Sequence, residues 1–71
     1  MPTIPDTYRL RADEARHEAD LATLVTVREI HLRAGAAWDT MAARAGRTQR
    51  RRAEQEAEKA VEAEAGVAAA G

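Results

Sequence analysis

The chain has 71 residues, a formal net charge of −1, and an apolar share of 45% in which alanine dominates and phenylalanine is absent. A chain this short forms at most one small domain with a thin core. The near-neutral balance rules out a strong overall field toward nucleic acid or anionic membrane. The absence of cysteine rules out disulfides and thiolate metal sites, and no apolar run approaches the roughly 20 residues of a membrane span.

Residues 1–6 hold both prolines and show no periodicity, so they are expected to form a disordered lead-in. They also lack the basic start and apolar core of a secretory signal, which makes a cytoplasmic protein the expectation. Asp6 or Thr7 is expected to cap a first helix over about Tyr8–Ala22 by accepting from an orphan backbone N–H. Tyr8, Ala12, Ala15, Ala19 and Ala22 recur at spacings of 4 and 3 and define its buried stripe. Its outer face carries Arg9, Asp13, Arg16, His17 and Asp20, with Asp13 placed to pair with His17.

Thr23-Leu24-Val25-Thr26 is expected to turn the chain, and Thr26-Val27-Arg28-Glu29 reads as a capping box that starts a second helix. Val25 is placed to staple against Ile30. Val27, Ile30, Ala34, Ala37 and Met41 form the second apolar stripe, with Trp38 and Ala45 beside it. Folding the chain at the turn pairs Tyr8 with Met41, Ala12 with Ala37, Ala15 with Ala34, Ala19 with Ile30 and Ala22 with Val27, all in one register. The reading is therefore all-α, an antiparallel two-helix hairpin. Alanine facing alanine lets the axes approach to the short end of 8–10 Å. Gly35 fits that approach, at a cost of about 1 kcal/mol in helix propensity. Tyr8, Trp38 and Met41 are expected to close the open end, with Arg11 stacked on the indole. Leu21, Leu24, Val27 and Ile30 are expected to close the turn end.

No proline or polar loop follows Gly46, so the second helix is expected to continue, with room for a bend there. The resulting division is a helical hairpin over 7–46, a charged helical extension over 47–65 and a frayed tail over 66–71. In the extension, Arg50 faces Glu54 and Arg52 faces Glu56 at four-residue spacing. Ala53, Ala57, Ala60 and Val61 form a thin apolar stripe, the mark of a solvated helix or of one strand of a weak coiled coil.

The segment Tyr8-Arg9-Leu10-Arg11-Ala12-Asp13-Glu14-Ala15-Arg16, a short turn, and then Arg28 to Leu32 and Ala37-Trp38-Asp39-Thr40-Met41-Ala42 resemble a widespread group of short uncharacterised alphaproteobacterial proteins. That group has a Tyr-Arg-x-Arg-Ala-x-Glu pattern followed by a second helix bearing a tryptophan. The resemblance covers about residues 7–45 and implies a helical hairpin in a bacterial protein, with no activity attached. Two positions depart from the group's pattern: Ala15 stands where a cysteine often follows the glutamate, and Val25-Thr26 where the turn often carries Asp-Pro.

These residues bear on four kinds of chemistry. His17, His31, Asp13, Glu14 and Asp20 supply metal-ligand types, but both histidines fall off the expected seam and point outward, so no metal is expected. With no serine or cysteine, the nucleophile candidates are threonines, Tyr8 and Lys59, none with a base beside it. Neither an enzyme, a cofactor nor a small-molecule substrate is therefore expected. Arg44, Arg47, Arg50, Arg51 and Arg52 place five cations in nine residues and could meet phosphates. Five glutamates follow within a dozen residues, so the same block also suits the acidic stretch of an antiparallel neighbour. A membrane-surface helix would need bulky apolar residues opposite the arginines, and alanine stands there instead.

A seam of alanines stabilises little against the roughly 1–2 kcal/mol per residue of backbone ordering. Leu10, Leu21, Leu24 and Leu32, with Trp38, are accordingly expected to form an interface. The functional expectation is a small non-enzymatic interaction or adaptor protein, forming a homo-oligomer or binding a protein partner. The alternative is a nucleic-acid-associated or regulatory protein acting through the Arg44–Arg52 stripe.

Overall fold

A computed structural model describes residues 1–70, with side chains through Ala68. It contains two helices, α1 (Ile4–Leu21) and α2 (Val25–Ala70), and no strand among the described residues. They pack as an all-α hairpin: three residues connect them, and Ile4 at the start of α1 lies beside Thr48 and Arg52 of α2.

α1 begins earlier than Tyr8. Thr3 is its cap, accepting from the Asp6 N–H at 3.2 Å, while the Asp6 carboxylate accepts from the Thr3 N–H at 3.3 Å. Pro5 occupies the first turn, where its missing N–H leaves no bond unmade, and it is buried. Asp6 therefore works inside a capping box instead of capping the helix itself. Residues 4–6, assigned from sequence to the lead-in, form the first helical turn.

The connection is tighter than Thr23–Thr26. α1 closes on Ala22, whose N–H reaches the Ala19 carbonyl at 3.2 Å. α2 is already helical at Val25, and the Arg28 N–H donates to the Leu24 carbonyl at 3.0 Å. Thr26 thus lies within the helix, and the Thr26–Glu29 box does not form. The Arg28 guanidinium donates across the turn to the Ala22 carbonyl at 3.1 Å, satisfying one of the orphan acceptors at the end of α1.

α2 runs through Gly46 without interruption. At about 1.5 Å per residue its 46 residues span about 69 Å, which matches the molecule's long dimension of 70 Å, so α2 is close to straight. It continues through 66–70, the stretch expected to fray; Gly71 lies outside the described residues.

The core is made of small residues. Ala12, Ala15, Ala19 and Ala42 are buried, together with Gly35 and Pro5, and no large side chain is fully buried among the described residues. The α1 stripe is the one expected from sequence. The α2 stripe is rotated by about one residue: His31, Ala34, Gly35, Trp38, Ala42 and Ala45 face α1, whereas Val27, Ile30 and Ala37 are exposed and Met41 lies at the edge. Leu21, Leu24, Val27 and Ile30 therefore leave the turn end open. The axial register stays close to the expected one, because Gly35 sits over Ala12, Ala15 and Arg16. Rotation sets the smallest residues of α2 against the alanine ridge of α1. A valine and an isoleucine there would hold the axes apart and weaken every alanine contact along the seam.

Candidate functional site

Two interhelix contacts accompany this rotation of α2. The Tyr8 and Trp38 rings meet with centroids 5.7 Å apart and planes tilted by 30°, a favourable aromatic pair. Arg16 donates to Asp39 at 2.8 Å and also to Asp13 on its own helix, and these two carboxylates hold the guanidinium pKa above its usual value. The sequence groups Tyr8 and Trp38 at the open end, although its register pairs Tyr8 with Met41; it does not foresee the Arg16–Asp39 bridge and sets Asp13 beside His17. The available signal was flank charge: Arg16 and Asp39 each stand one residue beyond a seam position, Ala15 and Trp38. Arg11 lines the same depression as Trp38, but its guanidinium donates to Glu14 at 3.2 Å.

The residues proposed as an interface are largely uncovered. Leu10, Leu21, Leu24 and Leu32 are between 48% and 66% exposed, and Val25 and Ile30 are similarly open. Trp38 differs: it is half-buried against Tyr8. Its indole therefore belongs mainly to the seam.

At the open end the two helices border a groove of about 450 Å³. Ile4, Pro5, Tyr8, Met41 and Ala45 form its apolar floor, and Arg44 and Arg52 stand at its rim. The remaining arginines of the block, Arg47, Arg50 and Arg51, project from α2 and are exposed. The described ion pairs lie elsewhere, at Asp6–Arg9, Arg11–Glu14, Asp13–Arg16, Arg16–Asp39 and Glu29–Arg33. The Arg50–Glu54 and Arg52–Glu56 pairs expected from spacing are not made among the described residues. Both run cation-first, the weaker orientation on a helix.

His17 is exposed on the outer face of α1. His31 is not outward as expected. It is half-buried on the seam and shares a shallow depression with Glu14, Glu18 and Trp38. Among the described residues no group of three or more His, Cys, Asp or Glu side chains converges closely enough to hold a metal ion. Despite the length of α2, no described helix is long and apolar enough to cross a membrane.

Beyond Arg52, α2 has no α1 beside it, and residues 53–68 are exposed on every side. Five arginines, Arg44 to Arg52, lead up to this free length, and five glutamates, Glu54 to Glu64, lie along it.

Neither a family model, nor a curated protein, nor a solved structure matches this chain.

Proposed function

We propose that this chain is a small non-enzymatic interaction protein that associates with itself or with a protein partner through surface its own hairpin leaves uncovered. One observation carries the reading. The buried residues are alanines with Gly35 and Pro5, while Ile4, Leu10, Leu21, Leu24, Ile30 and Val61 are all more than half exposed. Apolar surface in excess of a core's capacity marks an interaction site. The free end of α2 supports the same reading, since most helical stability in proteins comes from packing an apolar face, and residues 53–68 are exposed on every side. The proposed setting is the cytoplasm of a bacterium, and the role is that of an adaptor or structural element.

Sedimentation velocity across micromolar concentrations, with affinity capture from the native host, tests the reading. Concentration-dependent association, or a stoichiometric protein partner, is the expected result. A fully folded chain that stays monomeric and captures nothing removes it.

A second reading has its own support in the arginine block, whose members have no ion-pair partner among the described residues. Free guanidinium groups at spacings of 3 and 4 would suit nucleic-acid phosphates. A mobility-shift titration in salt, run on wild type and on a triple variant with Arg47→Ala, Arg50→Ala and Arg51→Ala, separates the two. Absent or salt-insensitive binding removes this second reading.

A further inference from the structure

We propose that two copies of this chain pack antiparallel along the α2 face opposite α1, crossing near residue 52. The inference rests on the reading that the chain associates, and names a partner, face and register for the uncovered length of α2; of the exposed apolar residues above, this face covers Val61.

α1 covers the side of α2 that carries Gly35, Trp38 and Ala42. On the opposite side a second seam runs from Ala36 to Ala68 at alternating spacings of 4 and 3, and it is exposed throughout. Charge is segregated along it. Arg47 and Arg50 lie before the midpoint, and Glu54 and the flanking Glu58 lie after it. Within a single helix this order offers only the weaker, cation-first pairing, and the structure makes no Arg50–Glu54 pair within the chain. A second copy running the other way uses it fully.

Consider the symmetric pair that sets Arg50 against Glu54 of the second copy. The same register sets Ala43 against Val61, Ala36 against Ala68, and Arg47 beside Glu58. Symmetry doubles each of these contacts. Val61 is 64% exposed in the single chain, and the shallow depression it forms with Ala57, Glu58 and Glu62 faces the second copy's Ala43. α1 lies on the other side of α2 and obstructs nothing.

The alternatives are worse on the same residues. Slipping the pair by one heptad toward the N-terminus sets Arg47 against Arg50. Slipping it toward the C-terminus sets Arg50 against Val61 and shortens the overlap. A parallel pair opposes Arg47 to Arg47 and Glu54 to Glu54. Like charges face one another in the first and third of these, and the second keeps an Arg47–Glu64 contact but gives up Arg50–Glu54 and moves Val61 from Ala43 to Arg50.

The test uses the full chain in sedimentation equilibrium, with two charge-reversed variants: Arg47→Glu with Arg50→Glu, and Glu54→Arg with Glu58→Arg. Wild type is expected to dimerise, less tightly as salt rises. Each variant alone is expected to dimerise ~100-fold more weakly, and an equimolar mixture of the two to recover the dimer. That recovery shows that neither variant had merely lost its fold. Direction is read from a spin label at Ala36→Cys, the chain's only thiol. In this register the two labels stand about 48 Å apart along the dimer, from the 1.5 Å helical rise, whereas a parallel pair brings them together. A dimer indifferent to charge reversal, or one with adjacent labels, overturns the proposed face and register while leaving self-association standing. A monomer at every concentration overturns the inference, and the host capture experiment then decides the broader reading on its own.

Discussion

Replacing Gly35 with alanine is expected to stabilise the hairpin by about 1–2 kcal/mol. Gly35 is buried in the interior of α2, about three turns from its start, against α1. A glycine in a helix interior costs about 1 kcal/mol relative to alanine, because it loses more backbone freedom on folding. Whether that cost is necessary depends on the space for a methyl group. A Cβ built on Gly35 would stand 3.5 Å from the Ala12 carbonyl oxygen, 3.5 Å from Cγ of Arg16 and 3.7 Å from Cβ of Ala15. These are ordinary van der Waals separations, so the methyl fits without moving a neighbour. Its burial adds up to about 0.8 kcal/mol to the propensity gain. In a chain of this size each kcal/mol raises the midpoint of thermal unfolding by about 4–8 °C. Urea denaturation followed by helical circular dichroism and by Trp38 fluorescence, at one fixed protein concentration, measures the change. A loss of stability would mean that the helices approach more closely than this packing, and that the glycine is required.

Enlarging a truly closed position should have the opposite sign. Ala12 is 0% exposed, so Ala12→Leu is expected to cost about 1–3 kcal/mol in the same denaturation experiment; no loss would mean that the seam is loose. Trp38→Ala should cost about 2–3 kcal/mol, short of the ~3–5 of a fully buried indole, because Trp38 is half-exposed and its loss also removes the Tyr8 ring contact. A change within about 0.5 kcal/mol would place the indole outside the seam. Thr3→Ala is expected to cost about 1 kcal/mol by removing the cap of α1, seen as fewer protected amides in the first turn by hydrogen exchange. Acid should act on the same cap. The hydrogen bond from Thr3 holds the Asp6 carboxyl below its usual value of 3.8. The unfolded chain thus takes up the proton first, and the stabilisation is complete above about pH 4 and lost as pH falls through the folded value. A stability–pH curve for Asp6→Asn lacking that component checks the sign, and an unchanged curve rejects it.

Much of the architecture was legible from one stripe. Tyr8, Ala12, Ala15 and Ala19 recur at a helical period with no competing apolar set on their helix, and they are the residues that α1 turns inward. The hairpin followed because a second periodic segment lay one short turn away. The start of α1 was legible but passed over: Thr3 followed three residues later by Asp6, with Pro5 between them, is a helix-start signal. The exposure of Leu10 and Leu32 was legible from their positions off the stripes, whereas Leu21 and Leu24 were expected to close the turn end and Trp38 could not be assigned from spacing alone.

By itself, the order of residues determined that this protein is helical, that it doubles back near Thr23, and that charge changes sign along its second helix. Local propensity and period are enough for each of these. Only the tertiary structure decided which face of α2 meets α1. Two candidate stripes overlap there, one bulky through Val27 and Ile30, the other small through Gly35 and Ala42. Hydrophobicity favours the first and close approach to an alanine ridge favours the second. The balance depends on the distance between two helix axes, a quantity that does not exist until both helices are packed.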